Sequence, residues 1–468
     1  MACRSFDVVI VGTGPAGIFA ALELSQDVPG IQIAMFEKGA ALEARSCPLQ
    51  DGGSVCMHCS PCSTVSGWGG AGAFSDGKIT LSPEVGGILD QYLDQDAFKE
   101  MLQHVDDYYL HFGAPETIYG VDREEEIEAI RKKAVLANLK LVPAPVRHMG
   151  TGRTKEVLNN MRKYLLEHGV EVHYNERVHR VLVEDGTVCG VQLQSGDSIK
   201  ARYVICAPGR EGSEWLAGES RRLGLETAIN PVDIGVRVEV PAEVLSHITD
   251  VVYESKFVFF SQTFDDKVRT FCMNPYGEVV LENTEGLTTV NGHTHADRKT
   301  NNTNFALLVS KTFTEPFREP IAYGKYVARL ANLLGDGVLV QRLGDLLAGR
   351  RTTRERMAKS FIDPTLREAT PGDLSLVFPY RHLMGIIEML RALDVVAPGV
   401  FSKYTLLYGV EVKFYSSRLQ VNKNLETKII NLYTAGDGAG ITRGLAQASM
   451  SGIVAAKDIA GKEDKSEC

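Results

Sequence analysis

The stretch Asp7-Val-Val-Ile-Val-Gly12-Thr-Gly14-Pro15-Ala16-Gly17 constrains this chain more than any other. Val8 to Val11 is wholly apolar and β-branched, as expected of a parallel strand buried on both faces. A glycine turn follows, and Ile18 to Leu24 reads as the first turns of a helix. That strand–turn–helix context is what a G-x-G-x-x-G match needs before it carries meaning. Gly12 permits the tight turn, Gly14 admits a pyrophosphate close to the backbone, and Gly17 lets helix and strand pack together. The phosphates then rest on unpaired N–H groups at the positive end of the helix. A second strand, Ile31 to Phe36, ends at Glu37, twenty residues after Gly17, with Lys38 next to it. A carboxylate there accepts ribose hydroxyls. A glycine turn in an ordinary α/β unit would leave Glu37 unexplained, so the reading is a dinucleotide-binding unit.

A chain of 468 residues suggests two or three domains with ample chain for a large core. Hydrophobic content of 44% and charged content of 23% are those of a soluble globular protein. A net charge of −9 speaks against a general nucleic-acid-binding surface. The first strand begins by residue 7, which argues against a signal peptide, and no apolar run is long enough to span a bilayer. Nine cysteines in such a chain read as reduced, their clusters as metal or redox chemistry. The expectation is a cytoplasmic, soluble, redox-type α/β protein.

From Ala40 to about Thr80 the pattern breaks into a glycine- and cysteine-rich loop holding Cys47, Cys56, Cys59 and Cys62, then Gly67-Trp-Gly-Gly70-Ala71-Gly-Ala-Phe-Ser75-Asp76-Gly-Lys78. Glycine at this density means close backbone approach or repeated positive φ. Pro83 to Leu136 reads as helices with charged outer faces, and Gly152 to His168 as another amphipathic helix. Short alternating runs follow at 170–174, 177–184, 188–194 and 199–207, with turn signals at Asp185-Gly186 and Ser195-Gly-Asp197. These turns separate three of the runs and suggest a small meander or hairpin insert. The last run leads into Ala207-Pro-Gly209. Residues 231–407 mix strands (234–240, 251–261, 268–273, 305–309) with helices (323–334, 386–393) and read as a second, α+β substrate domain. The first domain is then split into 1–230 and 408–468.

The final segment returns to the texture of the first. A strand at 429–434 is followed by Gly436-Asp437-Gly-Ala-Gly440 and a small-residue helix from about Arg443, with Gly444 in its first turn. This arrangement aims a carboxylate at a ribityl chain, which nicotinamide dinucleotides lack and flavin adenine dinucleotide (FAD) has. Both ends of the chain therefore read as gripping one long FAD.

Three motifs together, GTGPAG with Glu37, the hairpin insert before Ala207-Pro-Gly209, and the terminal GDGAG, resemble the glutathione-reductase-type flavoprotein superfamily. The loop CxxCxxC…GWGGAGAFSDGK, with TFCMNP at 270–275 and VNGHT at 290–294, is similar to one branch of it. That branch is the family of FAD-dependent dehydrogenases, distantly similar to the tRNA-modifying flavoprotein MnmG. The resemblance implies a Rossmann-like FAD-binding domain with a parallel sheet and β-meander insert. It implies that Gly12, Gly14, Gly17, Glu37 and Asp437 bind FAD and that the Gly69 to Asp76 loop lies near the flavin. Pro15, Ala16, Lys38, Gly70, Ala71, Ser75, Ala207, Gly209, Gly436 and Gly444 complete the expected cofactor set.

Flavin accepts or gives a hydride at N5, while protein groups position substrate and move protons. A helix N-terminus after Ile441 would favour the reduced, anionic flavin, and Arg443 there adds a charge or binds a carboxylate substrate. Cys272 is a candidate active-site thiol, with a buried small hydrophobe as the competing reading. His293 and His295 are candidate proton donors. The spacing Cys47-x8-Cys56-x2-Cys59-x2-Cys62 admits a [4Fe–4S] cluster, a structural zinc, or unligated thiols. No second glycine fingerprint is present, so NAD(P)H would bind only transiently, or electrons would come from a ferredoxin-like donor. The function expected is an FAD-dependent oxidoreductase acting on a small organic substrate by hydride transfer. A flavin monooxygenase and a tRNA-modifying MnmG-like flavoprotein are the alternatives.

Overall fold

The computed structural model describes residues 4–48, 57, 59–142, 144–228, 230–284, 286–294, 298–313, 317, 319–335, 337–414 and 418–466. It divides into two compact units, one of Met1–Thr117, Arg147–Asn230 and Ser416–Cys468, the other of Ile118–Val146 and Pro231–Tyr415.

The first unit is built on a sheet in the order Glu171–Tyr174, Ile33–Glu37, Ser5–Val11, Ser198–Cys206, Thr187–Leu193, Val178–Glu184, with Leu432–Thr434 also paired to Ser198–Cys206. The pairings among Glu171–Tyr174, Ile33–Glu37, Ser5–Val11, Ser198–Cys206 and Leu432–Thr434 are parallel. Their apolar runs, Val8 to Ile10 and Ile33 to Phe36, are at most 1% exposed, as strands covered on both faces require. Of the four short runs, the first extends the parallel sheet. The other three pair antiparallel with one another in chain order, turned at Asp185-Gly186 (φ +48° and +78°) and at Gly196 (φ +97°). The helices Pro15–Asp27 and Leu445–Ser466 pack through small residues. A Cβ on Gly452 would lie 2.0 Å from the Ala16 carbonyl oxygen, so the two backbones touch there.

The second unit holds an eight-stranded sheet in the order Thr370–Pro371, Leu339–Arg342, Leu406–Lys413, Val232–Pro241, Asn302–Lys311, Lys267–Asn274, Lys256–Phe260, Leu139–Val142. Side chains alternate across it with period two. Val232, Ile234, Val236, Val238 and Val240 join the apolar core with residues of helices Glu124–Leu136, Pro320–Gly335 and Tyr380–Val396. The intervening Asp233, Arg237 and Glu239 are just as buried. His382, in the first turn of Tyr380–Val396, is 3% exposed and neither ring nitrogen finds a hydrogen-bond partner. Burial, then the Lys311 and Arg381 cations, push its pKa down to about 4, against a smaller upward pull from Asp266.

Three expectations shift here. Residues 251–261 are not one strand, because Ala242–Val252 is a helix that buries Ala242, Leu245, Ile248 and Thr249 at helical spacing. The strand Lys256–Phe260 follows it. The boundary expected at 407 falls inside the strand Leu406–Lys413, and the segment 118–146 belongs with the second unit because Leu139–Val142 pairs with Lys256–Phe260.

Candidate functional site

The glycine turn of the first unit is fixed by backbone contacts. Gly12 donates to the Phe36 carbonyl at 2.8 Å and holds φ +102°, and a Cβ on it would meet the Ala207 carbonyl oxygen at 2.3 Å. A Cβ on Gly17 would meet the Gly12 carbonyl oxygen at 2.1 Å. Gly14 differs: a Cβ there meets nothing within 4 Å. It occupies the N-cap of Pro15–Asp27, where no side chain caps the helix and no acidic residue lies in the first turn. Unbonded N–H groups and the positive helix end therefore open onto empty space, the arrangement that takes a phosphate.

Glu37 is 6% exposed and its carboxylate is fully engaged. One oxygen accepts from the Thr13 N–H and hydroxyl at 3.1 and 3.0 Å, the other from the Gly39 and Gly67 N–H groups at 2.8 and 3.0 Å. A carboxylate has about four acceptor sites, and four donors fill them. Glu37 thus ties the glycine turn to the Gly67 segment. Thr13, the unspecified position of the fingerprint, is its principal partner, and nothing in the motif marks it.

The Gly67 segment lies against the turn. Gly69 donates to the Thr13 carbonyl at 2.9 Å, and a Cβ on Gly70 would sit 3.2 Å from the Gly14 Cα. Gly70 and Ala71 open the single turn Gly70–Phe74. Ser75 and Asp76 close the loop on itself: the Ser75 hydroxyl donates to the Gly72 carbonyl at 2.8 Å, and Asp76 pairs with Lys78 at 3.0 Å. Arg45, which sequence reasoning passed over, holds this loop from inside. Its Nε and Nη1 donate to the Ser63 and Trp68 carbonyls at 2.8 and 2.6 Å, and its guanidinium lies 4.7 Å from the Phe74 ring centre. Burial lowers its pKa to about 10, with Glu37 and Cys62 opposing. Its partners are backbone carbonyls, which no residue pattern announces.

From the other end of the chain, Ala435 donates to the Cys206 carbonyl at 3.0 Å. Gly436 (φ +77°) comes so close to Ala16 that a Cβ would be 3.1 Å from the alanine methyl. Gly438 meets Gly209 in the same way, at 2.5 Å from its carbonyl oxygen. The Asp437 carboxylate accepts from the Thr442 hydroxyl at 2.7 Å, with Arg210 Nε 3.5 Å away. Burial raises the Asp437 pKa, while Arg210, Thr442 and Arg443 pull it back. Gly12 to Gly17, Gly70, Ala207, Gly209, Gly436 and Asp437 are therefore gathered in one place. Lys38 is drawn off into an ion pair with Glu211 at 3.0 Å. Arg443 and Gly444 lie along residues 86–88: the Arg443 N–H donates to the Gly86 carbonyl at 2.6 Å.

Cys47, Cys59 and Cys62 are free thiols, and the Cys62 sulfur lies 3.1 Å from the Thr64 hydroxyl. Cys56 and His58 lie outside the described residues. Among the described residues, no group of three or more His, Cys, Asp or Glu side chains is placed to hold a metal ion.

In the second unit, Cys272 has φ +42° at a bulge of its strand. Its carbonyl accepts from Arg237 Nη1 at 2.7 Å and from the Asn274 amide at 3.0 Å. Arg237, fully buried, is paired bidentately with Glu411 at 2.8 and 2.7 Å and also donates to Asn291 at 3.1 Å. Lys413 lies 3.2 Å from Glu411 and 3.5 Å from Glu282. Burial works against its charge, but these two carboxylates, with a smaller contribution from Cys272, raise its pKa. His293 ends the strand Leu287–His293, opposite Glu278. His295 lies outside the described residues.

Residues 7–236 match the family described as FAD binding domain, and residues 231–414 match that described as FAD-dependent protein, C-terminal domain-like. The chain belongs to the FAD-dependent flavoproteins. It is an FAD-dependent oxidoreductase. It is 27% identical over 484 residues to an uncharacterised protein of Clostridium beijerinckii, covering 97% of this chain and 81% of that one. Among solved structures it is similar to a quinol–fumarate reductase (14% identity, TM-score 0.44, 98% of this chain and 72% of that one). It is also similar to the 3-ketosteroid-Δ4-(5α)-dehydrogenase of Rhodococcus jostii (14% identity, TM-score 0.43, 98% and 97%). Likeness at this level says nothing about substrate. No helix among the described residues is long and apolar enough to cross a membrane.

Proposed function

We propose that this flavoprotein reduces or dehydrogenates a small organic substrate by hydride transfer to or from FAD held in its first unit. One observation carries the reading: four separate glycine-bearing segments converge on the open N-terminus of Pro15–Asp27. The residues fit the cofactor there, because Gly14 leaves room and no acid stands in the way. Bound in this place, FAD supplies a two-electron carrier.

The chain's own groups do the rest. The first-turn N–H groups of Pro15–Asp27 take the diphosphate. Glu37 fixes Thr13, Gly39 and Gly67 around the adenosine end, and the Thr13 hydroxyl is the donor that a ribose hydroxyl replaces. Asp437, oriented by Thr442, takes the ribityl chain. Cys272, His293 and Arg443 are the groups proposed to meet substrate. A cluster or zinc on Cys47, Cys56, Cys59 and Cys62 is a separate proposal that elemental analysis for iron and zinc decides.

The test is direct. Purified protein should release one FAD per chain on denaturation. Under anaerobic conditions it should bleach with a reductant and recover with an organic acceptor. A colourless protein that FAD cannot reconstitute would sink the proposal.

A further inference from the structure

The helix Pro320–Gly335 is apolar on two opposite faces. Its inner face buries Gly324, Val327, Ala328, Ala331 and Gly335, and Val327, Ala328 and Ala331 join the core of the second unit. On the opposite face Tyr326, Leu330, Leu333 and Leu334 are 64, 43, 80 and 45% exposed. Arg329 lies among them, its guanidinium 5.6 Å from the Tyr326 ring centre. A surface helix ordinarily keeps its charged residues on the outer side. Glu124–Leu136, in the same unit, does so with exposed Glu125, Arg131 and Lys132. A helix that is apolar all round belongs in an interior, so the outer face of Pro320–Gly335 is one that an assembly covers.

Three properties of the face say what covers it. Tyr326, Leu330 and Leu333 are spaced by four and then three residues, the seam by which one helix packs on another. At those exposures the four side chains offer on the order of 400 Å² of mostly apolar surface, about half of what each partner buries in a standard interface. Such a stripe is complementary to itself, because a two-fold axis through it sets leucine against leucine. Lys325 and Arg329, the helix's only charged residues, both precede the Leu330–Leu333 centre of the seam. Antiparallel pairing brings them alongside the negative, carbonyl end of the facing helix, whereas parallel pairing would stack like charges. A lipid surface is the less favoured cover. An interfacial helix carries several cations on a solvated polar side, and the side of this helix away from the seam is packed in the core.

We propose that a second copy of this chain covers the face, two Pro320–Gly335 helices packing antiparallel across a two-fold axis near Leu330 and Leu333. The protein is then a homodimer joined through its second units, with Tyr326 of each helix against the leucines of the other. The rest of a standard interface is the polar rim around such an apolar centre. This assembly does not depend on the flavoprotein reading above.

The test uses the full-length, FAD-loaded protein in sedimentation velocity and light scattering. At micromolar concentration the wild type should have twice the mass of one chain. Leu333→Glu sets like charges against each other near the axis and should weaken dimerisation on the order of 100-fold, whereas Leu333→Met should keep the dimer. Leu333→Lys should be monomeric for the same reason, and mixing it with Leu333→Glu should restore a dimer holding one chain of each. That rescue requires the same stripe to lie on both sides of the contact. Flavin content, and bleaching by light and EDTA, should match the wild type in every variant, because the helix holds none of the expected cofactor residues. Should Leu333→Glu misfold, Leu330→Gln, which weakens the seam without adding charge, and the wild-type mass still judge the proposal. A monomeric wild type, a dimer that Leu333→Glu leaves intact, or charge variants that do not recombine would overturn it. So would a wild-type monomer that sediments with vesicles of phosphatidylcholine and phosphatidylglycerol, which would give the face to lipid.

Discussion

The glycine turn of the first unit and one sheet face of the second are built in different ways. In the first, glycines at 12, 17, 70 and 438 bring main chain against main chain, and Gly14 leaves a helix end open. In the second, one face of a sheet buries Asp233, Arg237, Glu239 and Glu411, each satisfied by side-chain partners. A glycine-built site keeps free the room that an added side chain would take from a ligand. A side-chain site costs desolvation and is stable only while every partner is present. Damage should therefore show as lost ligand at the glycine turn and as lost stability at the buried sheet face.

The sharpest test of that contrast is Arg237→Met. It leaves Glu411 buried without its bidentate partner and should cost about 3–5 kcal/mol of stability in urea denaturation. Adding Glu411→Leu should recover most of the loss, and a double variant as unstable as the single one would mean the pair is not the source of the effect.

His382 gives the second test. Its pKa is about 4 in the fold and about 6.5 unfolded. Below pH 6.5 the unfolded chain takes up a proton that the folded chain refuses, so stability falls as pH drops. The loss should reach about 3 kcal/mol by pH 4. His382→Phe should remove that part of the pH slope. Identical slopes in the two proteins would show that the ring is charged or solvated.

The smallest effect belongs to the backbone site. Gly14→Val adds atoms into open space at an ordinary φ of −76°. Thermal stability of the flavin-free protein should barely change, while FAD affinity falls about 100-fold, or about 2.7 kcal/mol. A large loss of stability with FAD affinity intact would reverse the contrast between the units.

The same division decides what could be read in the residues beforehand. Glycine spacing encodes backbone approach directly, so the turn at Gly12 to Gly17 and the return at Gly436-Asp437 were legible, as was the strand–helix–strand order around them. Glu37 was found as a carboxylate at the end of its strand, but its bonds to Thr13, Gly39 and Gly67 depend on where a distant loop lies. The Arg237–Glu411 pair joins residues 174 positions apart, and Arg45 works through carbonyls. Neither leaves a local signature. The helix Ala242–Val252 was read partly as strand because Val251-Val-Tyr253 has high strand propensity, and its burial at helical spacing won.

One contact has a consequence for how the protein is made. Gly452 rests on Ala16, so the helix that follows the first glycine turn is completed by one synthesised more than four hundred residues later. At about 5–20 residues per second that interval is tens of seconds on the ribosome. Throughout it, the face of Pro15–Asp27 that receives Gly452 has no partner. The second unit, whose residues 118–146 and 231–415 leave the ribosome earlier, has the chance to fold first. A nascent chain that stalls before residue 452 should therefore engage chaperones through its earliest-made helix.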